Sequence, residues 1–338
     1  MTNRQVTIKD IAREAGVSPA LVSFVMSNAV AGKQVYRVSR ETSKRVLEIA
    51  EKLQYKPNQS ARALRSGKTG TIGVVLSDIA NPFFAEIARY LEDDAYGYDY
   101  NMIFGSSDEN PEKFRRVVNL LLNKGVDGLI LVPCAGAEET IREVVAARIN
   151  TVLIDRIVPD LPVSSVVLDN RKAARDVVER LLARGARRID MVSYSMNISN
   201  TRDREQGYCD AMTAAGLKKH IHIERITHNN YEPIPAYFRA ARERGVEGFM
   251  MATNTLASLV VSEIIRSGYR IPDDFQVACF DRNPLYDIYG QGLIYVSQPI
   301  ELFAGKAMAL IMEALQSKRD IQPLPPQQIV LSPTITEQ

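Results

Sequence analysis

The stretch Val6–Met26, VTIKDIAREAGVSPALVSFVM, decides the fold of the amino-terminal region, because its pattern predicts two short helices joined by a tight turn. Four apolar residues recur at i, i+3, i+4 and i+7 and give the first helix one buried face: Ile8, Ile11, Ala12 and Ala15. Gly16 follows directly, and glycine readily adopts the left-handed backbone that ends many helices. The stretch therefore predicts a helix-turn-helix, a motif whose second helix enters the major groove of DNA.

Each predicted helix has a residue suited to cap its amino end. Thr7 caps the first helix and Ser18 caps the second, while Pro19 fits the first position of the second helix, where its missing N–H has no partner in any case. The second helix also has an apolar face, which comprises Leu21, Val22, Val25 and Met26. We expect that face to pack on the first helix and the opposite face to contact DNA.

A third amphipathic helix is predicted to complete a three-helix core. It begins after the cap residue Ser39, and its apolar face comprises Val46, Ile49, Ala50 and Leu53. The tetrapeptide YKPN at residues 55–58 ends it, because proline cannot continue a helix. The next segment, residues 59–65 (QSARALR), has helical propensity but is too short to be helical alone, so we expect it to fold on binding.

Charge divides the chain into a basic and an acidic part. Residues 1–68 contain 13 Lys and Arg against 5 Asp and Glu, which leaves a net charge of +8. Since the whole chain carries +2, the remaining residues carry −6. A basic amino-terminal region suits phosphate binding, and an acidic remainder favours solubility.

Residues 69–338 alternate between short apolar runs and helical stretches. The predicted strands form two series, 72–76, 101–104, 128–132 and 151–154 in the first and 189–192, 221–223, 248–251 and 276–280 in the second. This alternation predicts an α/β body of two doubly wound parallel sheets with a cleft between them.

Three stretches resemble the lactose-repressor and galactose-repressor (LacI/GalR) family of bacterial helix-turn-helix transcription regulators: Val6–Ser23, Tyr55–Leu64 and Thr71–Val75. The resemblance continues through the whole chain. It implies an all-α DNA-binding headpiece at 1–57, a hinge helix and linker at 58–68, and a bilobed body like that of periplasmic binding proteins at 69–338. The first lobe would comprise about 69–165 and 293–325, and the second about 166–292 with the carboxyl-terminal segment.

The resemblance also implies which residues contact DNA. The matching positions are Thr7, Ser18, Pro19, Ala20, Ser23, Phe24, Asn28, Lys33, Tyr55, Asn58, Ala61, Arg62 and Leu64. In the family, the leucine that matches Leu64 is wedged into the minor groove of a kinked duplex. Pro19, Ala20 and Phe24 are apolar, so they can contact thymine methyl groups but cannot make bidentate contacts to guanine or adenine. Operator specificity is therefore expected to depend on polar neighbours, the minor-groove wedge and DNA shape.

A small-molecule effector is implied in the cleft. The matching positions are Phe83, Phe84, Asp155, Arg156, Arg202, Arg204, Tyr231, Asn254, Asp281 and Arg282. Phe83 and Phe84 suit stacking on a sugar or base ring, although core packing explains either of them equally well. Arg204 suits binding of hydroxyls or a carboxylate, because its planar fork donates two parallel hydrogen bonds.

Two departures from the family pattern bear on the effector. Thr255 stands where an aspartate is usual, and Arg282 stands where an acid is frequent. Together with Arg202 they shift the predicted cleft toward positive charge, which favours a phosphorylated or acidic sugar over a neutral one. The alternative is that the two arginines pair with Asp203 and Asp281.

Other classes of protein are disfavoured by the sequence. No run reaches the roughly 18 apolar residues of a membrane span, and residues 1–5 lack an apolar signal core, which predicts a cytoplasmic protein. The three cysteines are embedded in apolar sequence and do not indicate a disulfide or zinc framework. Gly67-Lys68-Thr69 imitates a phosphate-binding loop, but Arg62 stands where that motif needs glycine. His220 and His222 have metal-ligand spacing without an evident third ligand.

We therefore expect a non-enzymatic, ligand-responsive repressor that needs no cofactor or metal and binds a near-palindromic DNA operator as a homodimer. Two alternatives remain open: a transport-linked sugar-binding protein and an enzyme acting on a sugar phosphate, both with the same bilobed fold. The first would have no use for residues 6–65. The second requires a catalytic constellation that we do not find in the sequence.

Overall fold

A computed structural model of the chain describes residues 6–30, 38–55, 67–283, 292–317 and 325–337, without the side chains of 27–30. The chain divides into two units, residues 1–69 and 70–338, which we call the headpiece and the body.

The described part of the headpiece consists of three helices, α1 (Ile8–Ala15), α2 (Pro19–Val30) and α3 (Arg40–Lys52). Their apolar faces meet in one core, in which Ile11, Val22, Val25 and Val46 are at most 1% exposed. The predicted helix-turn-helix and its supporting third helix are confirmed.

Local hydrogen bonds explain where the first two helices begin and end. The Asp10 carboxylate accepts hydrogen bonds from the N–H and the hydroxyl of Thr7, at 3.0 and 2.7 Å, which ties the first turn of α1 together. Gly16 ends α1 with a φ of 66°, as predicted from its position. The Ser18 hydroxyl oxygen then accepts a hydrogen bond from the Leu21 N–H at 3.2 Å and caps α2.

The body alternates strands and helices. Its strands are β1 (Thr71–Leu76), β2 (Asn101–Ser106), β3 (Gly128–Leu131), β4 (Asn150–Ile154), β5 (Ser164–Leu168), β6 (Ile189–Tyr194), β7 (His222–Ile226), β8 (Gly248–Met251), β9 (Gln276–Phe280), β10 (Leu293–Ser297), β11 (Gln328–Leu331) and β12 (Thr334–Glu337). Its helices are α4 (Pro82–Gly97), α5 (Pro111–Asn123), α6 (Glu138–Ala146), α7 (Asn170–Ala183), α8 (Ser199–Ala214), α9 (Ile234–Glu243), α10 (Asn254–Arg266) and α11 (Ile300–Gln316). The strands predicted from apolar runs are β1–β4 and β6–β9, whereas β5 and β10–β12 were not predicted.

Two six-stranded sheets organise these elements. One sheet has the order β11-β5-β4-β3-β1-β2, and the other has the order β12-β10-β9-β8-β6-β7. Paired strands run parallel, except that β12 pairs antiparallel with β10. The same order in both sheets produces two similar lobes, so the predicted pair of doubly wound sheets is confirmed.

The chain crosses between the lobes later than the sequence predicted. Within the described residues the crossings follow β5, β10 and β11, because α7 packs on the second sheet and α11 on the first. Residues 293–297 therefore belong to lobe 2, whereas the prediction assigned them to lobe 1. The reason is strand pairing: β10 pairs with β9 along Leu293–Val296 before the chain leaves that sheet.

Candidate ligand-binding cleft and DNA-binding face

A cleft separates the two lobes at the carboxyl ends of their parallel strands. Its described lining consists of Ser77, Asp78, Asn81, Phe83, Phe84, Glu109, Asp155, Arg156, Tyr194, Met196, Ile198, Asn200, Thr201, Arg204, His228, Tyr231, Thr253, Thr255, Asp281 and Gln298. Most of these residues follow a strand or begin the next helix, because the loops at the carboxyl ends of parallel strands converge on one edge of a sheet.

Asp155 and Asp281 hold equivalent positions in the two lobes. Asp155 follows β4 and Asp281 follows β9, and each has a left-handed backbone with a φ of 67°. Their N–H groups donate to the carbonyl oxygens of Val166 and Val296, both at 2.9 Å, on the next strand of each sheet. The same unusual backbone conformation therefore presents one carboxylate to the cleft from each lobe.

Each of these carboxylates accepts a hydrogen bond from a side-chain amide. Asn200 Nδ2 donates to Asp155 Oδ2 at 2.9 Å, and Gln298 Nε2 donates to Asp281 Oδ1 at 2.7 Å. Burial raises the pKa of both carboxyls, and the pKa of Asp281 reaches about 6, although the nearby Arg204 guanidinium opposes the rise. The cleft thus contains two acids whose ionisation costs free energy.

Arg204 is held in place by groups other than these carboxylates. Its Nε donates to Asn170 Oδ1 at 2.7 Å, and its Nη1 donates to the Ala252 carbonyl oxygen at 2.5 Å. The guanidinium carbon lies 3.8 Å from the centre of the Phe280 ring. Burial lowers the pKa of Arg204, and the Asp281 carboxylate opposes that change. The guanidinium is therefore fixed in the cleft before any ligand arrives.

Arg156 forms a buried ion pair with Glu109. Its Nη1 and Nη2 donate to Glu109 Oε2 and Oε1 at 2.9 and 2.7 Å, and Nη1 also donates to the Pro133 carbonyl oxygen at 2.9 Å. Burial lowers the pKa of Arg156, but the carboxylates of Glu109 and Asp155 more than compensate and hold it above its usual value. Arg156 is therefore already occupied by an acid of the same lobe.

Aromatic side chains form part of the cleft wall in both lobes. Phe83 and Phe84, in the first turn of α4, meet edge to face at 5.0 Å between ring centres, and Phe83 also packs against Phe303 at 6.2 Å. Both rings belong to the core and both line the cleft, so their packing in the core is confirmed and their stacking on a ligand stays a prediction. In lobe 2, the hydroxyls of Tyr194 and Tyr231 are 3.3 Å apart.

Hydrogen bonds connect the lobes across the cleft. Asn254 Nδ2 donates to Asn81 Oδ1 at 3.2 Å, and the Ser199 hydroxyl oxygen accepts from the Ile157 N–H at 3.0 Å. The first residue of each pair belongs to lobe 2 and the second to lobe 1. Together with the hydrogen bond from Asn200 to Asp155, they stabilise the present spacing of the lobes.

The headpiece presents an exposed surface at the start of its second helix. Pro19 and Ala20 begin α2 and are exposed, and the Phe24 side chain one turn later is 40% exposed. Val22 and Val25 point the other way into the headpiece core. One face of α2 therefore supports the fold, and the other is accessible to a partner such as a DNA groove.

Known proteins resemble the chain over nearly its whole length. A family model for bacterial regulatory proteins of the lacI family matches residues 7–58, and a model for periplasmic binding proteins and the sugar binding domain of the LacI family matches residues 69–233. Catabolite control protein A of Priestia megaterium is 33% identical over 318 residues, which cover 93% of each chain. The chain belongs to the LacI family of bacterial regulatory proteins.

A second relative agrees with this assignment, and a solved structure has a similar fold. The HTH-type transcriptional regulator RegA of Clostridium saccharobutylicum is 31% identical over 322 residues, 94% of this chain and 95% of RegA. A crystal structure of the lac repressor dimer, bound to operator and the anti-inducer ONPF, has a similar fold, with a TM-score of 0.83, 20% identity and coverage of 99% of this chain and 98% of that one. The LacI-family protein is therefore a DNA-binding transcription regulator, and the family resemblance inferred from its sequence is confirmed.

The structure brings most of the predicted effector residues of this LacI-family protein together. Phe83, Phe84, Asp155, Arg156, Arg204, Tyr231 and Asp281 line the cleft. Asn254 is buried and contacts the lining residue Asn81. Arg202 and Arg282 are exposed and lie outside the described lining.

The described lining of the cleft does not have the predicted positive charge. Its described lining includes four acids, Asp78, Glu109, Asp155 and Asp281, but two arginines, Arg156 and Arg204. Arg202 and Arg282 each directly follow a lining residue in the sequence, yet both are exposed and neither belongs to the described lining. The preference for a phosphorylated or acidic effector therefore loses its basis.

Several lining residues were missed in the sequence. Asn200, Gln298 and Glu109 are the clearest cases, since each hydrogen-bonds to a predicted site residue. Glu109 and Gln298 follow the strands β2 and β10, so the rule that ligands bind at the carboxyl ends of parallel strands would have found them.

The predicted DNA-binding residues of the LacI-family protein are described in part. Thr7 and Ser18 are exposed, Ser23 is half-buried, and Tyr55 packs against the headpiece core. The remaining side chains, those of Asn28, Lys33, Asn58, Ala61, Arg62 and Leu64, lie outside the described residues. Their contacts with DNA stay predictions.

The histidine pair that resembles a metal motif is not part of the described cleft lining. His222 begins the edge strand β7, where its Nε2 is 3.6 Å from Glu224 Oε2 and 3.9 Å from Asp190 Oδ2. Over the described ranges, no group of three or more His, Cys, Asp or Glu is arranged to hold a metal ion. In the same ranges, no helix is long and apolar enough to span a membrane.

Proposed function

We propose that this regulator represses genes of carbohydrate metabolism by binding a near-palindromic operator as a homodimer, and that a neutral polyhydroxylated ligand of the sugar class binds in the cleft and changes its operator affinity. The observation that carries the ligand proposal is a set of unsatisfied acceptors in the cleft wall. Asp155 Oδ1, Asn200 Oδ1 and Gln298 Oε1 are buried, and none has a hydrogen-bond donor among the described residues, whereas one buried donor of the lining, Arg156 Nε, lacks an acceptor.

Such acceptors require a ligand that donates hydrogen bonds. A buried polar atom without a partner costs about 1–3 kcal/mol, and sugar hydroxyls can remove that cost by donating to each atom. A sugar phosphate also has hydroxyl donors, but its ionised phosphate group supplies acceptors only and would be repelled by a lining with more acids than arginines. The acceptors therefore favour a sugar, and the charge of the lining favours a neutral sugar over a sugar phosphate.

The aromatic wall supports the same ligand class. Phe84 and Tyr231 line the cleft from different lobes, and aromatic rings pack well on the apolar C–H face of a pyranose. A ligand held by both lobes can bias their spacing, because it makes different contacts when the lobes move apart. Ligand binding in the cleft is thus able to act as a conformational signal.

Dimeric operator binding follows from the geometry of helix-turn-helix recognition. One recognition helix reads only a half-site, so a near-palindromic operator calls for two headpieces about one helical turn apart or a multiple of it. The net charge of +8 on residues 1–68 supplies the attraction to phosphates. Residues 58–65, predicted from the sequence to form the hinge helix, lie outside the described residues, so their folding in the minor groove stays a prediction.

A thermal-shift screen of the full chain tests the ligand class. We expect a neutral mono- or disaccharide to stabilise the body by about 2.7 kcal/mol at 100 times its dissociation constant, and sugar phosphates and purines to have smaller effects. Gln298→Ala should weaken that stabilisation because it removes an acceptor, whereas Gln206→Ala, an exposed change on α8, should preserve it. A sugar phosphate that stabilises the wild type more than every neutral saccharide would refute the proposed class.

A further inference from the structure

The ion pair between Arg156 and Glu109 has the geometry of a ligand-binding contact, yet both partners belong to lobe 1. The two terminal nitrogens of the guanidinium face the two carboxylate oxygens, at 2.9 and 2.7 Å. Arginine binds a free carboxylate or a phosphate in this same bidentate way. Both residues line the cleft, so a ligand anion that entered it would compete with Glu109 for the same donors.

The pair is shielded from water. The side chains of Arg156 and Glu109 are each 7% exposed, and the guanidinium carbon lies 5.9 Å from the centre of the Phe84 ring. A buried charge that loses its partner is strongly destabilising, because solvent cannot replace the lost contact. If Glu109 were neutral, Arg156 would therefore attract another anion of suitable shape.

The loop that carries Glu109 is built in an unfavourable backbone conformation. Asp108 and Glu109 are consecutive non-glycine residues with φ values of 51° and 57°, in the left-handed region that L-residues rarely adopt. The loop is held by the Glu109 N–H, which donates to the Ser77 carbonyl oxygen at 3.2 Å, and by an ion pair between Asp108 and Lys113. This conformation places the Glu109 carboxylate against Arg156, and the ion pair offsets the free-energy cost of the left-handed backbone.

We propose that Glu109 is a specificity-determining residue, whose carboxylate occupies the anion-binding fork of Arg156 and thereby excludes phosphorylated and carboxylated ligands from the cleft. The proposal rests on the proposed function, in that the cleft is taken to be the ligand site. It adds a cause for the neutral-ligand preference: the protein contains a cation suited to phosphate and keeps it occupied by an internal acid.

The proposal is tested by isothermal titration calorimetry of the full-length protein with inorganic phosphate at constant ionic strength. Glu109→Gln keeps the shape of the side chain and removes its charge, so we expect it to bind phosphate about tenfold more tightly than the wild type or more. The matched control is Glu112→Gln, an exposed acid in the first turn of α5, which should bind phosphate as the wild type does. The double variant Glu109→Gln/Arg156→Gln should lose this gain in phosphate affinity. All four proteins have the same basic headpiece, so phosphate binding to the headpiece is the same in each comparison.

A second variant covers the case in which Glu109→Gln does not fold. Glu109→Ala leaves a space the size of a small carboxylate, so acetate should raise its melting temperature while leaving those of the wild type and Glu112→Ala unchanged. Phosphate binding by Glu109→Gln no tighter than by Glu112→Gln, or a gain that persists without Arg156, would overturn the proposal. Failure of both Glu109 variants to fold with phosphate or acetate present would also overturn it, because the pair would then be a requirement of the fold. Neither probe is the effector, so these outcomes do not depend on whether a neutral sugar is found.

Discussion

Removal of residues 1–69 is expected to abolish operator binding, with a loss in affinity of about a thousandfold or more. The headpiece contains the helix-turn-helix and the net charge of +8, whereas the remaining chain is acidic and would be repelled by DNA phosphates. Residues 70–338 form a unit of their own, so the truncated protein should still fold. Fluorescence anisotropy with a labelled operator, selected from a pool of palindromic duplexes, measures the loss.

The salt dependence of the full chain provides an independent check of the same prediction. If the basic headpiece binds by releasing counterions from phosphates, the logarithm of the affinity should fall linearly with the logarithm of the salt concentration, with a slope of several units. The truncated body should keep its stabilisation by the cleft ligand, which separates loss of DNA binding from misfolding. Operator binding by the truncated body at near wild-type affinity would show that the headpiece has been assigned wrongly.

Asp281→Asn is expected to weaken ligand binding by about 2 kcal/mol or more while making the ligand-free body more stable. The substitution keeps the shape of the side chain but replaces a strong acceptor of ligand hydroxyls with a neutral amide. At the same time it removes a carboxylate whose pKa burial raises to about 6. The opposite signs of the two effects distinguish a ligand-binding acid from one that stabilises the fold. Calorimetric titration with the ligand and thermal unfolding without it measure them separately.

The pH dependence of the stability of the ligand-free protein should also show that the Asp281 charge is destabilising. Because the pKa of Asp281 is higher in the folded protein than the ordinary value of 3.8, the folded state binds more protons between these two values. The stability that protonated Asp281 contributes is therefore fully present below pH 3.8 and is lost as the pH rises through about 6, by about 3 kcal/mol. Asp281→Asn should flatten this part of the stability profile.

A surface substitution serves as the control for Asp281→Asn. Asp93 lies on α4, its side chain is 60% exposed, and it pairs with Arg89, so Asp93→Asn should change stability little and ligand affinity not at all. Reduced stability of ligand-free Asp281→Asn, together with unchanged ligand affinity, would mean that Asp281 is structural.

Features that depend on local sequence were predictable. Capping residues, a glycine turn and apolar periodicity define the headpiece helices, and continuous apolar runs define β1–β4 and β6–β9. The missed strand β11 has half of its residues exposed and lies at the edge of its sheet, so its sequence lacks the continuous apolar pattern of a buried strand. The positions at which the chain crosses between the lobes also differ from the predicted ones, because they depend on strand pairing, which apolar periodicity does not encode.

The chemistry of the cleft was less predictable, because it depends on contacts between distant parts of the chain. Arg156 and Glu109 are 47 positions apart, so no local pattern reveals that one neutralises the other. Arg202 and Arg204 are two residues apart on α8, yet the first is exposed and the second is buried in the cleft. Family resemblance identified the segments, but only the structure gives the direction of each side chain and hence the charge of the site.

Ligand-responsive DNA binding is tested most directly by the affinity of the full chain for its operator, measured by anisotropy at fixed salt with and without the neutral saccharide identified by screening. Coupling energies between two sites are typically about 1–3 kcal/mol. We therefore expect saturating saccharide to change the dissociation constant for the operator by about 5- to 150-fold. A dissociation constant that is the same in the absence of the saccharide and at its saturation would contradict the proposed regulation.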